Sequence, residues 1–171
     1  MTLHMQQSVF SDAVRGARKR FSIKDERGND RYSVTGALLP FFMGQHFSIY
    51  GTSGHVVATV KEKIKLGTFI EGLEASRYSI AVNGRGVCDI IVTSKKWLRR
   101  SIDFSGLPWR LKGGWGGIGS EVKNGDLTVM RLQWQAASRP GATYELAIAD
   151  PQHDLVCLCI ALVIDNIYDT H

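Results

Sequence analysis

Asp154-Leu-Val-Cys-Leu-Cys-Ile-Ala-Leu-Val-Ile-Asp-Asn-Ile-Tyr168 contains ten consecutive apolar residues, Leu155 to Ile164, and no other part of the chain resembles it. A helix that is apolar on every side has no polar face for water, so it must be enclosed by protein or lie in lipid. Ten residues rise about 15 Å as a helix, half of a hydrocarbon core, and Asp165 follows without basic anchors. We therefore predict a helix enclosed by the rest of the chain, and no transmembrane span.

Length and composition are those of an ordinary globular chain. The 171 residues are 44% apolar and 22% charged, which suits one domain with a substantial core and argues against a disordered protein. The three cysteines are an odd number, and the N-terminus has no basic segment followed by an apolar run, so a reducing compartment is favoured over secretion. We expect a cytoplasmic protein with a single domain, residues 1–171.

Basic charge is confined to the predicted shell around the helix. All 21 Lys and Arg residues lie in residues 1–140, which hold 11 Asp and Glu and so have a net charge of +10. A basic surface attracts polyanions in general, whether phospholipid headgroups, nucleic acid or acidic protein. The plainer interpretation is a solvated surface that keeps the protein soluble.

Short hairpins recur along the shell. In residues 21–34, apolar and polar residues alternate on both sides of a polar turn that contains Gly28, the pattern of a β-hairpin with one buried face. Residues 47–60 repeat this unit with Gly54 in the turn, and residues 78–92 repeat it with one extra residue in the turn. Each glycine stands where a tight turn requires positive φ. The repeat places Phe47, Ile49, Ala58 and Val60 at the offsets of Phe21, Ile23, Tyr32 and Val34.

Further short strands are predicted between Gly- and Pro-rich turns, at residues 3–9, 100–104, 109–112, 127–135 and 143–149. Regularly spaced short strands favour a closed or sandwiched β-structure, and closure also removes exposed edges. Asp150 and Pro151 suit the N-cap and the first residue of the terminal helix. Strands are thus expected over about residues 3–149 and the central helix over about residues 151–168.

The tandem Phe-x-Ile-x-Asp-x-x-Gly-type hairpins, and a final Tyr144-x-Leu146-x-Ile148 strand that runs into the apolar helix, are similar to those of the LURP-one-related proteins. These belong with the tubby-like C-terminal domains and share their fold with phospholipid scramblases. The resemblance covers Leu3 to Tyr168 and implies a mainly β fold, a twelve-stranded antiparallel β-barrel of tandem hairpins that encloses a hydrophobic C-terminal α-helix.

For function the resemblance implies less. Tubby domains bind phosphoinositides and scramblases act on membrane lipids, whereas most LURP-one-related proteins have no established activity. No phosphoinositide-site motif of the family maps onto this chain residue by residue, and residues 143–154 lack the dense acidic pattern of a scramblase-like calcium segment.

Several motifs that suggest chemistry fail on spacing or context. Gly114, Gly116 and Gly119 match G-x-G-x-x-G, but residues 120–125 are too short and turn-rich for the helix that a dinucleotide site needs. Cys157 and Cys159 diverge by about 200° on a helix, so they cannot share a metal or a disulfide. We expect them, and Cys88, to be buried as small apolar residues.

The remaining polar motifs are interpreted as hairpin turns. Ser53 precedes a glycine directly, one position too early for a nucleophile elbow. His46 and His55 flank the same hairpin and are interpreted as surface histidines rather than metal ligands. Asp25 and Asp30 lack the alternation of a calcium loop. We expect no catalytic site, no metal and no cofactor.

Three basic groups are the candidate ligand-binding residues. Lys61, Lys63 and Lys65 alternate, so on a strand they share one face, which we take to be the outer one. If two of the groups converge, they can hold several phosphates, and Trp97 can lie at a lipid interface. The full set is Arg15, Arg18, Lys19 and Arg20; Lys61, Lys63 and Lys65; and Lys95, Lys96, Trp97, Arg99 and Arg100.

We therefore predict a non-enzymatic protein that binds acidic phospholipid, or another polyanion, at its basic outer surface and associates peripherally with membranes. One alternative is a nucleic-acid-binding β-barrel, which requires aromatic and basic side chains together on an exposed strand face. A second is a carrier or enzyme with an internal pocket, which the helix should fill. A third is a scaffold for protein partners. The sequence does not define an oligomeric state.

Overall fold

The chain folds, in a computed structural model, into a closed antiparallel barrel of twelve strands. The structure describes residues 1–12, 16–38, 44–64, 73–95, 98–112, 119–135 and 143–168. Side-chain burial is described for residues 1–8, 21–36, 44–63, 76–93, 101–112, 119–135 and 143–167. Each strand pairs with its neighbours in sequence, and β1 closes the barrel against β12. The predicted fold is confirmed.

The strands are β1 Thr2–Asp12, β2 Gly16–Asp25, β3 Asp30–Leu38, β4 Gln45–Gly51, β5 Val56–Ile64, β6 Leu73–Val82, β7 Arg85–Lys95, β8 Leu98–Ser105, β9 Trp109–Lys112, β10 Ser120–Asn124, β11 Leu127–Gln135 and β12 Thr143–Ile148. A 3-10 turn, Pro151–His153, then leads into the helix α1, Asp154–Tyr168. The weakest seam lies between β8 and β9, which share one paired position, Asp103 with Arg110.

Alternating strand direction gives the barrel two distinct ends. The turns at residues 26–29, 52–55, 83–84, 106–108 and 125–126 lie at one end, together with the connection from β12 to α1. We call this the helix-entry end, because α1 begins there at Asp154. We call the opposite end, where α1 finishes at Tyr168, the helix-exit end.

The helix occupies the interior of the barrel, as its sequence predicts. Residues 157–163 are 0% exposed, and Ile164 and Ile167 are 4% exposed. Side chains of the inner barrel face surround them, among them Leu3, Ile49 and Leu146. The Asp150 side chain accepts a hydrogen bond from the Gln152 N–H at 2.9 Å, and Pro151 opens the 3-10 turn, so the predicted start is also confirmed.

The three predicted hairpins are present, and their aligned residues line the core. Their shared isoleucines, Ile23, Ile49 and Ile80, are at most 1% exposed, and each is followed directly by a shift in strand register. Gly28 and Gly54 have φ of 81° and 79°, as the turns require. All three hairpins therefore keep the same inward face up to the shift.

The third hairpin differs from its prediction in the turn. An extra turn residue was expected, but Asn83 and Gly84, both with positive φ, form a two-residue turn, and the additional length belongs to the strands. Asn-Gly favours this compact turn because both residues tolerate positive φ. The glycine-rich run also ends in a strand the sequence did not predict, β10, whereas Gly114 and Gly116 lie outside the described residues.

Both ends of the helix are fixed to the barrel by a tyrosine and an aspartate. At the helix-entry end, the Tyr32 hydroxyl donates to Asp154 Oδ2 at 2.6 Å. At the helix-exit end, the Tyr144 hydroxyl donates to Asp165 Oδ1 at 2.5 Å. Burial and the Asp154 carboxylate raise the pKa of Tyr32 to about 12, so this donor keeps its proton at neutral pH. The two bonds fix the axial position of α1 in the barrel.

Gly44 supplies a sharp test of packing at the helix-exit end. Its φ is +69°, and an added Cβ would lie 2.6 Å from the Glu62 carbonyl oxygen. We expect Gly44→Ala to lower the free energy of unfolding by roughly 2 to 5 kcal/mol, because it combines left-handed strain with a backbone clash.

Gly54→Ala is the matched control, since Gly54 has φ of +79° and nothing within 4 Å of an added Cβ. It should lose only about 1 to 2 kcal/mol. Urea unfolding followed by circular dichroism measures both values. Equal losses in the two variants would show that a Cβ at position 44 does not clash with the Glu62 carbonyl oxygen.

Candidate polyanion-binding end

The three basic groups all lie toward the helix-exit end. Arg18, Lys19 and Arg20 belong to the first half of β2, and Lys61 and Lys63 to the last half of β5. The third group occupies the end of β7 and the beginning of β8, with Lys95, Arg99 and Arg100. Because consecutive strands are antiparallel, these segments all point to the same end. Arg15, Lys65, Lys96 and Trp97 lie outside the described residues.

The strands that carry these groups are spread around the barrel. Strands β2 and β8 are six positions apart in a closed ring of twelve, so they stand on opposite sides. Only β6 separates β5 from β7. The fold therefore brings two groups onto nearly adjacent strands and places the other across the barrel, so that the basic segments surround one end.

Lys61 and Lys63 share the exposed outer face of β5, as predicted. Among the described residues, no carboxylate forms an ion pair with either ammonium group. Glu62, the residue between them, is turned the other way. Its carboxylate accepts hydrogen bonds from the Tyr78 hydroxyl and from the Gln45 N–H, each at 2.9 Å. It is thereby committed to the interior instead of neutralising the two lysines.

Arg77 extends this cationic surface, and sequence reasoning missed it. On β6 it is the direct cross-strand partner of Lys63. Its guanidinium lies 3.1 Å from the Asp89 carboxylate, an ion pair at the exposed surface. Like charges directly opposite one another in a sheet are destabilising. A lone arginine within an alternating strand carries no signal of its own, because only the register of β5 against β6 brings it to Lys63.

His46 lies beside the same surface. It is the cross-strand partner of Lys61, and its Nε2 atom is buried without a hydrogen-bond partner among the described residues. Burial, with the Lys61 charge, lowers the pKa of His46. His55 is exposed in the turn at the opposite end of this hairpin, so the two histidines do not form a pair.

The helix-entry end has a different electrostatic character. In and beside its turns lie six carboxylates and a similar number of basic side chains, so neither sign is in excess. A cavity of about 290 Å³ at this end is lined by residues of both signs, including Glu26 and Arg31. The carboxylates are those of Asp25, Glu26, Asp30, Asp126, Asp150 and Asp154, and the basic residues are Lys24, Arg27, Arg31, Arg85, Arg110 and Lys123.

The cysteines are buried, as predicted. Cys157 and Cys159 are 0% exposed and Cys88 is 7% exposed. Burial raises the pKa of Cys157 to about 12 and of Cys88 to about 11, and it raises the pKa of Cys159 as well. The thiols therefore stay protonated at neutral pH and pack as small apolar side chains.

Fold and surface together define a class of protein, the closed antiparallel β-barrel built around a single C-terminal helix, with basic strand segments around one end. The family model for LURP-one-related proteins matches residues 1–165. The chain therefore belongs to the LURP-one-related family, and the resemblance noted in its sequence is confirmed.

A relative from Bacillus subtilis (strain 168), "Uncharacterized protein YxjI", is similar along nearly the whole chain. The two are 26% identical over 166 residues, which cover 96% of this chain and 92% of that protein. No solved structure gives a significant match. Within the described residues, no helix combines the length and the hydropathy that crossing a bilayer would demand.

Proposed function

We propose that this protein is a non-catalytic binding module for acidic phospholipid headgroups, which it engages through the basic segments around the helix-exit end. The observation that carries this proposal is that Lys61 and Lys63, next to Arg77, have no ion-pair partner among the described residues. A bound phosphate would offset the repulsion between these side chains and would replace water with charge-assisted hydrogen bonds.

The arrangement supports a membrane surface rather than a nucleic acid as the partner. A single strand of nucleic acid needs exposed rings beside the cations on which its bases can stack. Among the described residues, the large exposed apolar side chains are Val56, Leu127 and Trp134. Val56 begins β5 at the helix-entry end, and Leu127 and Trp134 belong to β11, so none of them is an aromatic ring beside Lys61 and Lys63. A flat anionic surface, in contrast, contacts all basic segments at one end together.

Charge reversal of the two lysines tests the proposal. We expect Lys61→Glu/Lys63→Glu protein to lose at least about thirtyfold in apparent affinity for vesicles of phosphatidylcholine and phosphatidylserine, because each basic residue near such a surface contributes about 1 kcal/mol. The variant should fold at least as well as the wild type, since a glutamate at position 63 faces Arg77 and converts repulsion into attraction. Vesicle cosedimentation and a thermal melt measure the two effects.

Arg27→Glu/Arg85→Glu is the matched control, since it makes the same change in net charge at the helix-entry end. It should retain most of the affinity. Wild-type protein that ignores acidic vesicles at low salt would contradict the proposal, as would equal losses in both double variants. Filter binding of labelled oligonucleotides over a salt series gives the competing outcome: tighter binding of the oligonucleotide than of the vesicles would favour a nucleic-acid partner.

A further inference from the structure

We infer that the protein docks end-on on an acidic bilayer. The helix-exit end faces the membrane, the barrel axis is roughly perpendicular to the membrane plane, and the Trp134 side chain lies at the lipid interface. This inference rests on the proposed function and adds to it an orientation and an apolar anchor. It draws on a residue outside the three basic groups, on the far side of the barrel from Lys61 and Lys63.

Trp134 is a large, half-exposed ring at the rim of the helix-exit end. It is the penultimate residue of β11, two residues beyond the buried Leu132, and it is 51% exposed. Indole rings favour the boundary between headgroups and hydrocarbon, because one part of the ring is apolar while its N–H remains hydrogen-bonded. In water, the exposed half of the Trp134 ring leaves apolar surface uncovered, and a bilayer would cover that surface.

Trp134 lies on the strand pair from which one contact to the helix is made. Its cross-strand partner is Tyr144, whose hydroxyl donates to Asp165 in the last turn of α1 at 2.5 Å. The ring is thus carried by a paired strand and not by a loop. The backbone that carries the ring is already ordered before insertion, which favours its use as an anchor.

Charge complementarity selects the membrane as the occupant and this end as the contact. Basic strand segments on β2, β5, β7 and β8 surround the helix-exit end, whereas the helix-entry end has no cationic excess. Since β2 and β8 stand on opposite sides, a flat anionic surface can approach both only across the end of the barrel. Trp134 on β11 then reaches the same surface from the remaining arc of strands.

Alanine substitution at two exposed apolar residues tests which end of the barrel contacts the membrane. Leu127, 75% exposed, lies beside the β10–β11 turn at the helix-entry end, so Leu127→Ala removes comparable exposed apolar area from the end that faces away. With vesicles of equal parts phosphatidylcholine and phosphatidylserine, Trp134→Ala should weaken binding by about tenfold and Leu127→Ala should have no effect. Leu127→Ala should melt near the wild-type temperature, and Trp134→Ala, which also removes the covered half of the ring, should melt somewhat lower but still cooperatively.

Fluorescence gives a second measurement on a variant that keeps an aromatic ring. Vesicles whose acyl chains are brominated near the headgroup should quench part of the tryptophan emission of the wild type, and Trp134→Phe should lower that quenching. Trp97, Trp109 and Trp115 are present in both samples, so the difference in quenching between them reports Trp134 alone.

The outcomes distinguish this inference from the proposed function. If the wild type binds acidic vesicles and Trp134→Ala binds equally well, with unchanged quenching in Trp134→Phe, the anchor is wrong and the headgroup-binding function stands. A loss in Leu127→Ala instead would reverse the orientation. If the wild type does not bind such vesicles at all, both proposals fail.

Discussion

Leu158→Asp should abolish folding. Leu158 is 0% exposed at the centre of the enclosed helix, so the substitution places a carboxylate in an apolar interior that contains no buried cation among the residues whose burial is described. Burying an unpaired charge, together with the loss of a packed leucine, costs more than about 5 kcal/mol, which matches or exceeds the whole stability of many domains. We expect insoluble protein, or soluble protein without a cooperative unfolding transition in urea.

Two substitutions serve as controls for this result. Leu127→Asp makes the same chemical change at a 75% exposed position and should leave the protein soluble and folded. Leu158→Met conserves volume and should cost less than about 1.5 kcal/mol. Soluble Leu158→Asp protein that unfolds cooperatively would be incompatible with a helix enclosed by the barrel, and with every argument that uses the two ends defined by that helix.

Tyr144→Phe should be the more damaging of two substitutions that each remove one anchor of the helix. The Tyr144 hydroxyl donates to the carboxylate of Asp165, which is 1% exposed. Water cannot replace the lost donor at a carboxyl group that is almost fully buried, so we expect a loss of about 2 to 3 kcal/mol in the free energy of unfolding.

Tyr32→Phe is the matched change at the other end of α1. Its partner, Asp154, is partly exposed and also accepts from the Leu155 N–H at 2.6 Å, with the Arg31 guanidinium 3.7 Å away. These groups and water compensate for the missing hydroxyl, and the expected loss is about 1 kcal/mol. Urea titrations of the wild type and both variants give the comparison. A larger loss in Tyr32→Phe would mean that the helix is held mainly at its entry.

The local sequence pattern was sufficient to predict the helix, the first two hairpins and the residues of the core. Ten consecutive apolar residues have no face to offer to water, which dictated the enclosure of Leu155 to Ile164. Alternation with a period of two, interrupted at Gly28 and Gly54, dictated the inner rows of the first two hairpins. These inferences succeed because they depend on residues only a few positions apart.

The turn of the third hairpin and the strand β10 were not predicted correctly from the sequence. At both places the local composition does not decide between a turn and a strand. Asn83-Gly84 closes a two-residue turn, and the flanking residues that appeared to be turn then pair as strand. Ser120–Asn124 follows a glycine-rich run and is short, and its strand conformation comes from pairing on both sides, with β9 and β11.

The chain by itself determined a buried terminal helix, a shell of hairpins and a basic surface on that shell, since each follows from hydrophobic period and charge count. Only the closed barrel decided that the basic segments surround one end, that Lys63 faces Arg77, and that Trp134 stays exposed at the rim although it follows the buried Leu132 by two residues. The physical reason is that strand order, register and the axial position of the enclosed helix are set by contacts between residues far apart in sequence, such as Tyr144 with Asp165 and β1 with β12.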